Sequence, residues 1–118
     1  MEKQCIELHH EKLDVYKAAI DFLVISNNIS VKYPRGFSPM GDQLRRASLS
    51  IPLNISEGYG RTSKADRARF YDIARGSAHE CGAIFDASLI LKFINDEQFR
   101  EGKVLLYRIV SMLVKMAF

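Results

Sequence analysis

The spacing of proline and glycine is the feature that most limits what this chain can fold into. The prolines stand at positions 34, 39 and 52, and four glycines stand at 36, 41, 58 and 60. Because both residue types favour turns and helix ends, they divide the chain into four long segments. None of these segments alternates polar and apolar residues as a strand does, and none contains a hairpin dipeptide. The spacing therefore predicts four helices.

Signals at the helix ends predict the boundaries of these segments. The predicted helices cover about 8–32, 38–60, 63–93 and 95–118. Ser38 is a predicted N-cap that is followed by proline. Ser63 is a second, with Asp66 three residues on, and Asn95 can form a capping box with Gln98. We expect one all-α domain over residues 1–118, in which residues 1–7 form an N-terminal extension.

Length and composition exclude several classes of protein. The 118 residues contain no run of 18 apolar residues, which excludes a transmembrane helix, and the polar N-terminus does not resemble a signal peptide. We therefore expect a cytoplasmic protein in which both cysteines, Cys5 and Cys81, are free thiols. Two cysteines do not make a disulfide framework or a zinc site. No paired carboxylates, activated nucleophile or metal-ligand cluster is evident, so we expect no catalytic residue, metal or cofactor and no enzymatic activity.

Apolar residues lie on two sides of the first two predicted helices. One side of the first helix carries Leu13, Tyr16, Ile20, Leu23, Val24 and Val31. The opposite side carries Val15, Ala18, Phe22, Ile25 and Ile29. In the second helix, Leu49 and Leu53 lie opposite an apolar face at positions 44, 47, 51 and 55. An outer helix of a monomeric bundle needs only one apolar stripe. The pattern therefore favours a homo-oligomer, and the alternative is that one helix is central and wrapped by the other three. The predicted subunit interface is Val15, Phe22, Ile25, Ile29, Leu49 and Leu53.

Pro52 lies inside the second predicted helix, where it removes a backbone donor and crowds the preceding turn. We expect a kink there, or else two shorter helices that meet at Pro52. Asn54 has a short polar side chain that can satisfy backbone groups near the kink. Gly58 and Gly60 are predicted to supply positive φ at the following turn.

The excess of positive charge is confined to the second half of the chain. The formal net charge is +3, and the cations are densest from Arg61 through Lys64 and Arg67 to Arg75. Such a run is typical of a solvated helix face. It also suits phosphate binding, because free amides at the start of the third helix would lie beside it. We therefore predict that these four residues contact nucleic acid.

Two sequence blocks resemble a known family. QLRRASLSIPLNISEGYGR at residues 43–61 resembles the signature QLRRA-x-x-SIP-x-NI-x-EG-x-GR. That signature is found in the proteins encoded in intervening sequences of bacterial 23S rRNA genes, also called S23 ribosomal proteins. FYDIARGS at residues 70–77, followed by Glu80, is similar to the second block of the same family. The resemblance covers about residues 12–116.

The resemblance implies an antiparallel up-down four-helix bundle that assembles as a ring-like homopentamer. It also implies a distant relation to the accessory variability determinants of diversity-generating retroelements, which bind nucleic acid and a reverse transcriptase. We therefore expect a non-enzymatic oligomer that binds RNA or DNA or acts as a scaffold. The alternative is an adaptor for a nucleic-acid enzyme such as a reverse transcriptase. The signature's Arg45 and Arg46 fit either nucleic-acid contact or a structural role in the oligomer.

Overall fold

Four long helices form the described part of the protein, and each packs against two neighbours. The computed structural model describes residues 6–117. Its helices are α1 (Asp14–Ser30), α2 (Ser38–Tyr59), α3 (Lys64–Ile90) and α4 (Asp96–Ala117), preceded by a 3₁₀ turn over His9–Lys12. Contacts join α1 to α2, α2 to α3, α3 to α4 and α4 back to α1, with no diagonal pair. Within the described residues there is no strand, so the predicted all-α up-down bundle is confirmed. Most of the predicted extension 1–7, including Cys5, lies outside the described residues.

Local capping explains where two of the helices begin. The Ser63 hydroxyl accepts a hydrogen bond from the Asp66 amide at 3.1 Å. Asn95 and Gln98 each accept from the other's amide, at 2.8 and 2.9 Å, which completes the predicted capping box. Ser38 is instead the first residue of α2, and Phe37 occupies its N-cap. The predicted cap at Ser38 was therefore one residue late.

The core contains the side of α1 that the sequence pattern assigned to a subunit interface. Val15, Phe22 and Ile29 are buried within the single chain, and Ile25 is partly buried against them. The assignment of Val15, Phe22 and Ile29 to an interface between subunits is wrong, because these side chains are buried in the core of the single chain. The assignment of Ile25, which is only partly buried, stays a prediction. The opposite side of α1 is the exposed one, and Val24 is 56% exposed. On α2 the prediction holds better, because Leu49 and Leu53 stay exposed while the face around Leu44 and Ile51 is buried.

Helix α2 continues without a break through Pro52, which is buried. The predicted alternative of two shorter helices is therefore wrong, and the kink itself stays a prediction. Asn54 Nδ2 donates to the Ser50 carbonyl at 2.8 Å and to the Ser50 hydroxyl at 2.9 Å. The hydroxyls of Ser50 and Ser77 lie 2.8 Å apart, which joins α2 to α3. Asn54 thus satisfies a backbone group near Pro52, as predicted.

The two ends of the bundle differ in character. The connections α1–α2 and α3–α4 meet at one end, where the rings of Tyr33 and Phe37 lie 5.6 and 4.8 Å from that of Phe93. The Tyr33 hydroxyl lies 2.5 Å from the hydroxyl of buried Ser88, which anchors this aromatic end to the core. The α2–α3 connection lies at the other end, because successive helices of an up-down bundle reverse direction.

Candidate nucleic-acid interface

The connection between α2 and α3 is short because both helix ends close tightly. Gly60 caps α2 with φ −78°, and its amide donates to the carbonyls of Ser56 and Gly58. A Cβ atom at Gly58 would lie 2.8 Å from Tyr71 Cε1 and 2.9 Å from Phe70 Cβ. Gly58 therefore allows α2 and α3 to approach closely. The predicted positive φ at these two glycines is wrong, since Gly36 is the glycine with positive φ among the described residues.

Arginine side chains are arranged around this connection. Arg67 Nε donates to the Arg61 carbonyl at 2.6 Å, and the Arg61 guanidinium pairs with Glu57 at 2.9 Å. The guanidinium carbons of Arg61 and Arg69 lie 4.9 and 4.6 Å from the centre of the same Phe70 ring. Aromatic faces attract cations through their quadrupole, so this ring holds two positive charges close together. We call Arg61, Lys64, Arg67 and Arg69 the basic end cluster.

Lys64 and Arg67 line a shallow hollow of about 430 Å³ at this end, next to Tyr59 and Tyr71. The Arg67 guanidinium lies 5.6 Å from the centre of the Tyr59 ring. Burial raises the pKa of Tyr71, and the nearby charge of Arg67 offsets part of that rise. Lys64 is exposed and makes no hydrogen bond or ion pair with another described residue. Its ammonium group is therefore available to a ligand.

The other predicted cations lie apart from the basic end cluster. Arg75 is eleven residues beyond Lys64 on α3, about 16 Å along the helix axis, and pairs with Asp72 at 3.3 Å. Arg45 pairs with Asp42, and Arg46 is exposed without an ion pair in the described part of the chain. Both lie near the middle of α2. The structure therefore brings three of the six predicted residues together.

Arg46 and His79 form no ion pair within residues 6–117. Glu57, near the end of α2, pairs with Arg61. His79 on α3 also makes no hydrogen bond with another residue in this range. Asp86, further along α3, pairs with Lys103 of α4 at 2.9 Å. The outer face of α3 is thus tied to α4 by Lys103.

Sequence reasoning missed a basic and aromatic face on α4. Residues 102, 106, 109 and 113 of α4 are buried, which turns Arg100, Tyr107 and Arg108 outward. Tyr107 is 76% exposed. The same spacing rule that was applied to α1 and α2 would have placed these residues on the surface. The predicted nucleic-acid contacts included the charge run at 61–75 and the arginines at 45 and 46, and no residue of α4.

Cys81 is fully buried, and burial, with a smaller effect from the charge of Glu80, raises the pKa of its thiol to about 12. It therefore behaves as a small buried apolar residue. Across residues 6–117, no three or more His, Cys, Asp or Glu side chains are grouped so that they could hold a metal ion. None of the helices in this part of the chain combines the length and apolar character needed to cross a membrane.

Comparisons with known proteins agree with the fold. The chain matches the family described as 23S rRNA-intervening sequence protein over residues 11–115. A solved structure of a protein of unknown function from the S23 ribosomal protein family of Bacteroides thetaiotaomicron is similar, with a TM-score of 0.80 and 23% sequence identity. The similarity covers 87% of this chain and 97% of that one. The comparison with curated proteins yields no match.

Proposed function

The chain belongs to the family of 23S rRNA-intervening sequence proteins, and from this and its surface we propose that it binds RNA or DNA through the basic end cluster. The observation that carries this proposal is the crowding of cations at the α2–α3 end. Arg61, Lys64, Arg67 and Arg69 stand there against two carboxylates, Glu57 and Asp66. The cluster therefore keeps an excess of positive charge that phosphates can neutralise.

The geometry of the basic end cluster supports phosphate binding over a merely solvated helix face. Ring contacts with Phe70 and Tyr59 orient three of its guanidinium groups, which lowers the entropy lost when a ligand binds. The first amides of α3 also lie in this region, and a helix N-terminus favours anions. Both features suit contacts to the sugar-phosphate backbone, which do not depend on base sequence.

Charge reversal at the basic end cluster tests this proposal. We expect the double variant Lys64→Glu/Arg67→Glu to weaken binding of a structured RNA and to lower the slope of log K against log salt by about 1.4 to 1.8, since each lost phosphate contact removes about 0.7 to 0.9. Fluorescence anisotropy between about 50 and 200 mM salt measures both effects. Lys32→Glu/Arg35→Glu, which reverses two exposed cations at the opposite end and changes the net charge equally, is the matched control. Equal losses in both variants would show that net charge, and not this cluster, determines binding.

We also propose that the protein assembles with itself through the exposed side of α1 and α2. Val24 and Leu49 line a hollow of about 420 Å³ between these helices, and Arg45 borders it. Leu53 lies one turn beyond and is 55% exposed. Apolar side chains grouped in this way mark an interaction surface. A ring, such as the homopentamer that the family resemblance implies, would repeat the basic end cluster and strengthen weak phosphate contacts by multivalency.

Sedimentation velocity tests the assembly. The wild-type chain of 13.4 kDa should sediment as a multiple of that mass, and Leu49→Glu/Leu53→Glu should shift it toward the monomer. Ile90→Glu, which changes an apolar residue that is 78% exposed at the end of α3, is the control. If the wild type is a monomer at about 100 μM, the surface is available to another protein. The runner-up function, an adaptor for a nucleic-acid enzyme, would then be favoured, and a complex that survives nuclease treatment would support it.

A further inference from the structure

A groove runs along the outer face of the bundle between α3 and α4. It consists of two adjoining hollows of about 340 and 600 Å³ that share Lys103 and Tyr107. The larger hollow has an apolar floor that includes Phe99 and Val104, and Arg100 and Arg108 border it. An apolar floor with cationic walls resembles neither a purely solvated surface nor a closed core.

Tyr107 is the most exposed aromatic side chain that the structure describes, at 76%. Its ring makes no aromatic contact and its hydroxyl no hydrogen bond with another residue in 6–117. The folded chain therefore gains little from this ring. A flat, open aromatic face is, however, what an unstacked nucleobase needs, because base and ring can stack whatever the base is.

The charges beside Tyr107 point to a phosphate-bearing ligand. Arg100 precedes Tyr107 by two helical turns and Arg108 follows it directly, and neither forms an ion pair within the described residues. Lys103 is held by Asp86 at 2.9 Å, and the remaining acid on the groove is Asp96. Two free guanidinium groups around an open ring are complementary to a base flanked by its phosphates.

The groove continues toward the basic end cluster. Lys64 and Gly82 are eighteen residues apart on α3, which is five full turns, so they lie on the same side of the helix. Gly82 lines the smaller hollow, and Arg75 lies between the two on nearly the same side. One strand could thus contact Lys64 at its one end and Tyr107 further along.

We infer that the α3–α4 groove binds single-stranded nucleic acid, with a base stacked on Tyr107 and the flanking phosphates on Arg100 and Arg108. The inference rests on the proposed function and adds the class of nucleic acid. A duplex is disfavoured, because its bases are already stacked on one another and their faces cannot reach the ring.

A tryptophan at position 107 reports on the groove directly, since the chain contains no tryptophan. We expect Tyr107→Trp fluorescence to be quenched, with saturation, by a twelve-nucleotide oligouridine, and not by a blunt duplex of equal charge. Ile90→Trp, at a side chain that is 78% exposed at the end of α3 and outside both hollows, should respond to neither and is the matched control. Tyr107→Ala should weaken single-strand binding by about five- to 100-fold, whereas Tyr107→Phe should retain it, because the stacking face is kept.

Three results would overturn the inference. One is equal quenching by duplex and single strand, and another is a Tyr107→Ala variant that binds oligouridine within twofold of wild type. The third is a fluorescence change of Tyr107→Trp with protein concentration alone, which would identify a second copy as the occupant of the groove. If Lys64→Glu/Arg67→Glu still weakens RNA binding in these cases, the proposed function stands without the groove. If no nucleic acid binds at all, both fail.

Discussion

Replacing Gly102 by alanine should destabilise the protein, although the same change normally stabilises a helix. Gly102 lies in α4, and a Cβ atom there would be 2.8 Å from both Cδ2 and Cζ of Phe85, and closer still to Cε2. Phe85 is fully buried and its ring centre lies 5.4 Å from that of Phe22, so it has little room to move. The new methyl group must therefore displace an aromatic ring in a packed core.

Two opposing terms give the expected magnitude. Alanine is favoured over glycine inside a helix by about 1 kcal/mol. Overpacking a core costs about 1 to 3 kcal/mol, and the rigid ring places this site at the upper end. We therefore expect a net loss of about 2 kcal/mol for Gly102→Ala. Gly76→Ala in α3 is the matched control, because no atom lies within 4 Å of its added Cβ. That variant should gain about 0.5 to 1 kcal/mol.

Urea denaturation followed by circular dichroism, at one fixed protein concentration, measures both variants. The two midpoints should move in opposite directions, with unchanged m-values. In Gly102→Ala/Phe85→Leu the smaller side chain should absorb the new methyl group, which gives a favourable coupling of about 1 kcal/mol or more. If Gly102→Ala were as stable as Gly76→Ala, the close contact between α3 and α4 would not exist as described.

Four further outcomes follow from the helix ends and buried polar groups. Asn95→Ala should lower the free energy of unfolding by about 1 kcal/mol through loss of the α4 cap, whereas exposed Asn28→Ala should stay within about 0.5 kcal/mol in the same urea assay. Asn54→Ala should lower the free energy of unfolding by about 1 kcal/mol, because it removes two hydrogen bonds to Ser50, and the shift of the urea midpoint measures this loss. Ellman's reagent at pH 8 should modify no more than one of the two thiols in the native protein, since buried Cys81 has a pKa of about 12. The free energy of unfolding should also fall as pH rises from about 9 to 12, because the Cys81 thiol ionises first in the unfolded chain, and Cys81→Ala should reduce this slope in urea titrations at each pH.

Sequence reasoning predicted the starts of α3 and α4 correctly, because these caps depend on neighbouring residues. The predicted start of the first helix near residue 8 is wrong, since α1 begins at Asp14. The Ser63 cap and the Asn95–Gln98 box each join residues three positions apart, so the signal and the structure lie in one short stretch. The prediction of positive φ at Gly58 and Gly60 failed because glycine can be required either for its backbone conformation or for its small size, and the residue type does not distinguish the two. Gly58 is required by Tyr71, which lies on the next helix, and no local pattern reveals that neighbour.

The assignment of the two sides of α1 failed for a different physical reason. Both sides are apolar, so periodicity alone allows either of them to face the core. The buried side carries Ala18 and Ala19, together with Ser26 and Ser30, and such small residues let neighbouring helices pack closely. Ser30 Oγ donates to the Asn27 carbonyl of its own helix at 3.0 Å, which allows a polar residue to lie in the core. A prediction that places the more apolar side of a helix in the core does not allow for buried serines of this kind.

The candidate site could not be predicted in full from the sequence, because its cations come from two helices that are adjacent only in the folded chain. Arg61, Lys64, Arg67 and Arg75 are close in sequence, yet about 16 Å of helix axis lies between Lys64 and Arg75, and Arg75 pairs with Asp72. Arg100 and Arg108 of α4 are distant in sequence from that run, yet they border the groove that α3 forms with α4. The surface that a phosphate backbone would meet is therefore a property of α3 beside α4. A count of charges along the chain detects only the α3 part of this surface. It cannot detect Tyr107, the exposed ring on which the proposed preference for single strands depends, because that side chain carries no charge.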